Sequence, residues 1–567
     1  MLSCIFSIMR TSVWVLSSRL LIILLVLPQF TLTRSLFRSD LFPLSIIHIN
    51  DFHARYEPTD KNGGTCNNNQ ECIGGYARTF HTVKRLLQEQ KENNPIYLNA
   101  GDNFQGTLWY NIGRWNVTSQ FLNMLPADAI TLGNHEFDHG VEGVVPFLET
   151  LDSPVIVTNM NSSNEPTMEG KYKRSLIIER GQRKIGILGA LIETVYDLAN
   201  IGNLTFRNES EAILEEGLRL KAQGCDIIIL ITHCGYDVDQ EIARHAGSVV
   251  DVIVGGHSHT FLSAKTDDPG PLKAQGKYPT EVIHSSGQRV LIVQAASYAR
   301  YVGNLIVYFD NAGNVVEYQG GPLYMHSSVP EDPDVLEAIK PWKAIIDLKG
   351  NEIVGETRVD LLKNPCSSRE CNLGNFFCDA MIHSLVAISP YNEEPWTSAA
   401  IGLVNNGALR VPLLKGTLTY AHIITMSPFE NVLTSFNLPG AILLEALEFA
   451  VQKMDLSKNI TSSQAFLQTS GLKIVYDLKK PPYQRVVELQ VRCAACSYPQ
   501  YEPFDKTKTY RIVAPIFLVN GGDGFHMIRD HSTDIQHHQT DLDALLKYTN
   551  ETSPIITGIE GRIIVNK

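Results

Sequence analysis

Basic runs are missing from this 567-residue chain. Its 48 Lys plus Arg are outnumbered by 60 Asp plus Glu, for a formal charge of −12. With no basic patch to set against that balance, a nucleic-acid polymer is excluded as the expected ligand. A membrane span of about 20 apolar residues is also absent, since the longest N-terminal run, Leu20 to Leu27, is too short. The C-terminal stretch Gly561-Arg562-Ile563-Ile564-Val565-Asn566-Lys567 lacks the roughly 10–20 apolar residues of a lipid-anchor signal. Neither internal repeats nor a long low-complexity linker occur, and no Arg-Gly-Asp suggests integrin mimicry. These absences point to a folded protein with no membrane anchor and a small-molecule ligand.

What is present fits a secretory route. Arg10 and Arg19 precede the apolar run, and Pro28 and the small polar residues from Thr31 to Ser35 follow it. Residues 1–35 therefore read as a signal peptide cut between 30 and 40. Six acceptor sequons, at Asn116, Asn161, Asn203, Asn208, Asn459 and Asn550, agree. Three close cysteine pairs, Cys66 with Cys72, Cys366 with Cys371 and Cys493 with Cys496, read as small loop-closing disulfides of an oxidising compartment. Cys493-Ala494-Ala495-Cys496 is also the spacing of half a zinc site or a redox motif, but no second pair lies beside it. Cys225, Cys234 and Cys378 have no evident partner and read as buried thiols, while Cys4 leaves with the signal.

The length exceeds what one core usually supports, so two domains are expected. A hydrophobic content of 44% with 19% charged residues is ordinary for globular chains. Residues 41–330 alternate apolar strands with helical stretches such as Ala77 to Glu92 and Glu209 to Ala222. Asp332-Pro333 then opens a helix, which Pro341 should kink or interrupt. Residues 331–350 form this linker and hinge, and 351–567 a second α/β domain, with Ala441 to Met454 as one of its helices.

Five clusters of metal-binding residue types follow five apolar runs in the first domain. Asp51-Phe52-His53 follows Ile46 to Ile49, and Gly101-Asp102-Asn103 follows Ile96 to Leu98. Gly133-Asn134-His135-Glu136 follows Ala129 to Leu132. Thr232-His233 follows Ile227 to Ile231, and Gly256-His257-Ser258-His259 follows Val250 to Val254. Such runs read as buried strands, which would deliver their polar ends to one rim of a sheet. Asp, Asn and His together suit zinc or manganese. A central carboxylate, for which Asp102 is the candidate, can bridge two ions roughly 3.5–4 Å apart, the spacing that clamps attacking and leaving oxygens in phosphoryl transfer. Each cluster taken singly is also a turn, a solvated loop or a satisfied core histidine; the ordered set of five is what carries the chemistry.

These motifs resemble the calcineurin-like metallophosphoesterases. Ala100-Gly101-Asp102-Asn103-Phe104-Gln105-Gly106-Thr107 narrows the likeness to the 5′-nucleotidase/apyrase family, above all the secreted salivary apyrases of blood-feeding insects. The resemblance implies an α/β fold: a four-layer metallophosphoesterase sandwich at 41–330, joined by the linker helix to a nucleotide-binding domain at 351–567. It places Asp51, His53, Asp102 and His259 on one divalent ion and Asp102, Asn134, His233 and His257 on the other. Zinc is the first choice, with calcium, manganese or magnesium as alternatives. Vertebrate relatives carry Asn at the His259 position, but imidazole is a competent ligand. His135 and Asp138 would form the catalytic dyad, although a helix-capping role also suits Asp138.

In the second domain the resemblance assigns substrate contacts to Arg369, Asn405 and Arg410. Phe429 and Phe517 would sandwich the base, and Asp523 would bind the ribose. Without the family, both aromatics read as core and Gly521-Gly522-Asp523-Gly524 as a turn. The family's Asn-Gly-Gly-Gly-x-Arg loop appears here as Asn405-Asn406-Gly407-Ala408-Leu409-Arg410, which restricts the backbone. Cys378 lacks the partner it has in vertebrate relatives. Both departures weaken the expectation of strict AMP hydrolysis. The implied activity is a secreted apyrase that removes terminal phosphates from ATP and ADP to leave AMP. The alternative is a 5′-nucleotidase acting on AMP, and a non-catalytic nucleotide-binding protein is the reading from another class. Nothing in the chain specifies an oligomeric state.

Overall fold

The computed structural model describes residues 40–567, apart from 62, 65, 67–70, 264–269, 390–395 and 459. The signal segment and the Asn459 sequon lie outside the described residues.

The apolar runs of the first half form strands that are buried on both faces. Ile46 and Leu98 point to one side and Ile47, Ile49 and Tyr97 to the other, all within a few percent of full burial. Continuous rather than alternating hydrophobicity marks parallel strands covered on both sides. Phe42–Ile49 pairs in parallel with Ile96–Asn99, which pairs in parallel with Ala129–Ile130. Tyr301–Phe309 and Val315–Gly320 complete that sheet on its other side. A second sheet runs in the order Thr280–Ile283, Arg289–Val293, Val252–Val254, Ile227–His233, Arg183–Leu191, Ser175–Arg180.

Ile46, Leu98, Ile187, Ile229, Val252 and Leu291 share one core between the two sheets. Outside the first sheet, Ile47 and Tyr97 pack on Val83 and Leu86 of helix Tyr76–Glu89. Outside the second, Ile228 and Leu230 meet Ile213 and Leu220 of Glu209–Ala222 and Ile242 of Tyr236–Ala246. The layers are helix, sheet, sheet, helix. The five strands that carry the polar clusters therefore do not share one sheet: three belong to the first and two to the second. Their polar ends converge across the top of the sandwich, which no single rim could supply.

Asp332 caps the linker helix Pro333–Gly350 by accepting from the Asp334 and Val335 amides. The helix runs through Pro341 without interruption. Pro341 lies on the exposed face, where water can satisfy the carbonyl its missing N–H leaves free. Lys343 Nζ lies 2.7 Å from Glu57 and Trp342 Nε1 donates to Gln120 at 2.9 Å, tying the helix to the first domain. Its end meets the second domain, where Lys349 lies over the Tyr420 ring at 4.5 Å.

Beyond it stand a five-stranded sheet, ordered Leu467–Ser470, Ile401–Asn405, Thr509–Pro515, Val432–Pro439, Thr533–Thr540, and a four-stranded one from Tyr501–Pro503 to Ile563–Asn566. Three disulfides join Cys66 to Cys72, Cys366 to Cys371 and Cys493 to Cys496. Cys225, Cys234 and Cys378 are free and buried. Among the described residues no helix is long and apolar enough to cross a membrane.

At the foot of the second sheet, burial pushes the Asp251 carboxyl up to about 7, only partly offset by the Ile228 amide and Gln288. Between about pH 4 and 7 the native carboxyl keeps its proton while the unfolded one loses it. The native state then binds more protons, so stability falls with rising pH across that window and is level above it. Asp251→Asn, which can still pair with Ile228 and a flipped Gln288 amide, should lose less unfolding temperature between pH 4.5 and 7.5 than the parent chain. Equal losses would show that Asp251 does not set this slope.

Candidate active site

The polar clusters meet through backbone pairing of their loops. Asp51 N donates to Gly101 O (3.1 Å) and His53 N to Asp102 O (2.9 Å). Glu136, fully buried, organises the next two loops. Its Oε2 accepts from the amides of Asp102 (3.1 Å) and Gly133 (2.6 Å), and its Oε1 from Asn103 (2.7 Å) and Phe104 (3.3 Å). A Cβ at Gly133 would sit 2.1 Å from Asp102 Oδ1, so only glycine lets these loops approach.

The ligand atoms of Asp51, His53, Asp102 and His259 all lie within 4.8 Å of one another. His53 Nε2 and His259 Nε2 are 3.0 Å apart, and His259 Nε2 is 3.3 Å from Asp51 Oδ1. On the other side, His233 Nε2 lies 3.1 Å from Asp102 Oδ2, and Asn134 Oδ1 lies 2.9 Å from His257 Nδ1. Thus all seven expected ligands converge, with Asp102 between the two groups. Asp51, His53, Asp102, His257 and His259 all take positive φ, between 50° and 73°, a conformation rare for residues with side chains and concentrated at functional sites.

The donor set fits divalent cations. His233 Nε2 is buried and faces the Asp102 carboxylate at 3.1 Å. His53 Nδ1 and His233 Nδ1 face the carbonyls of Phe104 (3.2 Å) and Ala100 (2.7 Å), which orient the rings and turn each Nε2 toward Asp102. Burial holds the His53 ring well below its ordinary pKa and His257 at about 4, the neutral form a metal requires. For Asp102, burial opposes ionisation, but the charges of His233 and His135 outweigh it and keep the carboxylate well below its usual range.

His135 Nδ1 pairs with Asp138 Oδ2 at 2.7 Å, and the His135 amide donates to Asp102 Oδ1 (3.0 Å). Burial lowers the ring's pKa, yet Asp138 and Asp102 raise it further, to about 8. The Asp138 side chain faces His135 and caps no helix N-terminus: helix Gly140–Thr150 has no side-chain cap bond.

One cavity of about 1320 Å³ runs from Asp102, Asn134 and His135 to Phe429, Phe517 and Asp523, joining the two domains. The Phe429 ring lies 5.5 Å from that of His135, at an interplanar angle of 14°. Arg410 covers Phe429 at 5.2 Å. Asn405 donates to Asp523 Oδ2 at 2.7 Å, and Phe517 packs beneath Gly522. Asn406–Ala408 forms a 3-10 turn, a right-handed conformation that Asn and Ala adopt freely, so the missing glycines do not distort the loop.

Arg369 is not brought to this cavity. It is exposed and lines a separate cleft with Asp477, Lys479 and Lys567. Two features escaped the sequence. Lys363, its pKa lowered to about 8 by burial and by Arg410, donates to Asn406 at 2.9 Å. Asp197 bridges the domains to His526 (2.8 Å) and Arg529 (3.1 Å) at the cavity wall. Neither lies in a motif, so no local signal marked them.

A buried Asp/His cluster at the open end of a double-sheet sandwich, facing a nucleotide-sized cavity, defines a two-domain metallophosphoesterase. Residues 44–261 match the calcineurin-like phosphoesterase family and 353–530 the 5′-nucleotidase C-terminal domain. An apyrase of Tabanus yao is 48% identical over 92% of this chain and 93% of its own length. A 5′-nucleotidase-related protein of Glossina morsitans morsitans is 48% identical, covering 94% and 97%. The crystal structure of a Thermus thermophilus 5′-nucleotidase precursor superposes with a TM-score of 0.79 at 32% identity, covering 93% and 99%. The chain belongs to the 5′-nucleotidase/apyrase family of calcineurin-like phosphoesterases, and it is a metal-dependent nucleotide phosphohydrolase.

Glu136→Gln replaces an acceptor of four amides with a group that must also donate. It should weaken zinc or manganese binding about 10–100-fold, read by calorimetry on the folded protein; unchanged affinity would deny Glu136 its orienting role.

Proposed function

We propose that this protein is a secreted apyrase that removes the terminal phosphates of ATP and ADP and releases AMP. The observation that carries the reading is the single cavity joining the Phe429, Phe517 and Asp523 end to the Asp102 and His135 end. Phe429 and Phe517 would stack the base, and Asp523, presented by Asn405, would take the ribose hydroxyls. Arg410 covers Phe429 and is close enough to the histidines to lower the pKa of both His53 and His135. A guanidinium in that position suits the phosphates that are not transferred. The 48% likeness to a protein named apyrase supports the choice. A 5′-nucleotidase releasing adenosine from AMP is the second reading, supported by the name of the Thermus relative.

Asp51, His53, Asp102 and His259 would hold one divalent ion, and Asp102, Asn134, His233 and His257 the other, with zinc the first choice. When bound, the pair polarises the terminal phosphoryl group and acidifies the attacking water. Asp138 fixes the His135 tautomer and leaves Nε2 to donate to a phosphoryl oxygen as charge develops there.

Secretion is supported by the exposure of Asn116, Asn161, Asn203, Asn208 and Asn550 and by the three disulfides. Suppression of ADP-driven platelet aggregation during blood feeding is the role this likeness implies.

The purified protein should release phosphate from ATP and ADP, little from AMP, and none after chelation. Release chiefly from AMP would replace the apyrase reading with the second one, and metal-independent silence on all three would sink both. His135→Ala should retain nucleotide binding while kcat falls about 10²–10³-fold; unchanged turnover would remove His135 from the mechanism.

A further inference from the structure

Two non-glycine residues in the left-handed backbone region face each other across the domain boundary. Arg114 has φ 50° and ψ −145° and kinks the helix Leu108–Asn123. Glu430 has φ 51° and lies one residue past Phe429. Arg114 Nη2 donates to Glu430 Oε2 at 2.7 Å. From the preceding helical turn, Asn111 Nδ2 donates to the same oxygen at 3.1 Å and to the Pro428 carbonyl at 3.0 Å. The other arm of the guanidinium contacts His139, whose ring stacks on Tyr110. The first domain thus grips the residues on both sides of Phe429, one by its backbone and one by its carboxylate. Between them the Phe429 ring lies flat on His135.

The pair is half-buried, with side-chain exposures of 37% and 21%. An ordinary exposed ion pair contributes little to stability, and neither residue adopts its backbone conformation readily. The arrangement therefore makes more sense as positioning than as a gain in stability. Without the kink, Arg114 would continue a regular helix and its guanidinium would leave Glu430. Without Glu430, the Phe429 segment keeps the Asn111 bond to Pro428 and the stacking of its ring on His135, but no ion pair to the first domain through this segment.

We infer that Arg114 and Glu430 form an interdomain clamp that sets Phe429 against His135 and so couples base recognition to phosphoryl transfer. Both are positioning residues, since neither touches the reacting atoms. The inference rests on the nucleotide reading of Phe429. A nucleotide needs the second domain docked in register with the metal cluster, whereas a small aryl phosphate needs only the cluster. The clamp therefore governs nucleotide turnover and leaves base-free phosphoester turnover alone.

The test compares ADP with para-nitrophenyl phosphate in the full-length, metal-loaded protein carrying Arg114→Glu, Glu430→Arg, or both. Each single charge reversal should lower kcat/KM for ADP at least 10-fold and leave para-nitrophenyl phosphate within 2-fold, with the unfolding temperature unchanged. The double reversal, which restores opposite charges, should recover most of the loss on ADP. Equal losses on both substrates, or no recovery in the double variant of a chain that still melts cooperatively, would overturn the clamp. Full ADP turnover in the single variants would do the same. Should the parent chain itself cleave para-nitrophenyl phosphate but no nucleotide, the nucleotide reading fails rather than the clamp alone.

Discussion

Asp102 is a carboxylate at 2% exposure that has to accept charge from several directions at once, and the first domain is arranged around that requirement. Its amide is held by Glu136, one oxygen takes the His135 amide, and the other faces His233 and His53. Burying a carboxylate is costly unless it is paired. The pairing groups come from loops far apart in the chain. The only economical way to assemble them is to end several parallel strands at one level, with the sandwich core absorbing the cost of ordering. The same demand accounts for the left-handed backbone at five of the expected ligand positions, a strain that short, polar Asp and His side chains tolerate better than β-branched ones.

The two domains divide the work. The first holds the groups that handle charge, and the second presents the aromatic and polar surface suited to a nucleoside. The cavity that joins them is walled by both. Polar contacts join them at two places: Arg114 and Asn111 with Glu430 near Phe429, and Asp197 with His526 and Arg529 near Asp523. Apolar side chains of both domains and of the linker helix also share one core cluster. The linker helix is tied to the first domain through Trp342 and Lys343 and meets the second at Lys349.

Much of this was legible in advance wherever the physics is local. Helix Glu209–Ala222 appears with the limits its pattern implied, capped by Asn208 and closed by basic residues in its last turn. The three disulfides follow cysteines only 3 to 6 residues apart. Departures arose where the outcome depends on distant chain. The run Ala129 to Leu132 yields a strand of only two residues, Ala129–Ile130, because the backbone turns at once to place Asn134 and His135. Pro341 passes through its helix because its face is exposed, which no periodicity reveals. Arg369 sits within the loop closed by Cys366 and Cys371, yet it lines a separate cleft rather than the cavity it was expected to serve.

By itself the sequence determined which residues can bind metal, that they lie at strand ends, and where capping and turn chemistry start and stop helices. Those properties depend on side-chain type and on neighbours within a few positions. Tertiary structure decided that the five clusters come from two sheets rather than one, that Asp102 stands between two ligand groups, and that Phe429 meets His135. It also brought Lys363 and Asp197 to the site and kept Arg369 from it. Each of these depends on the burial and convergence of segments tens to hundreds of residues apart, and that information resides in packing, which no local pattern carries.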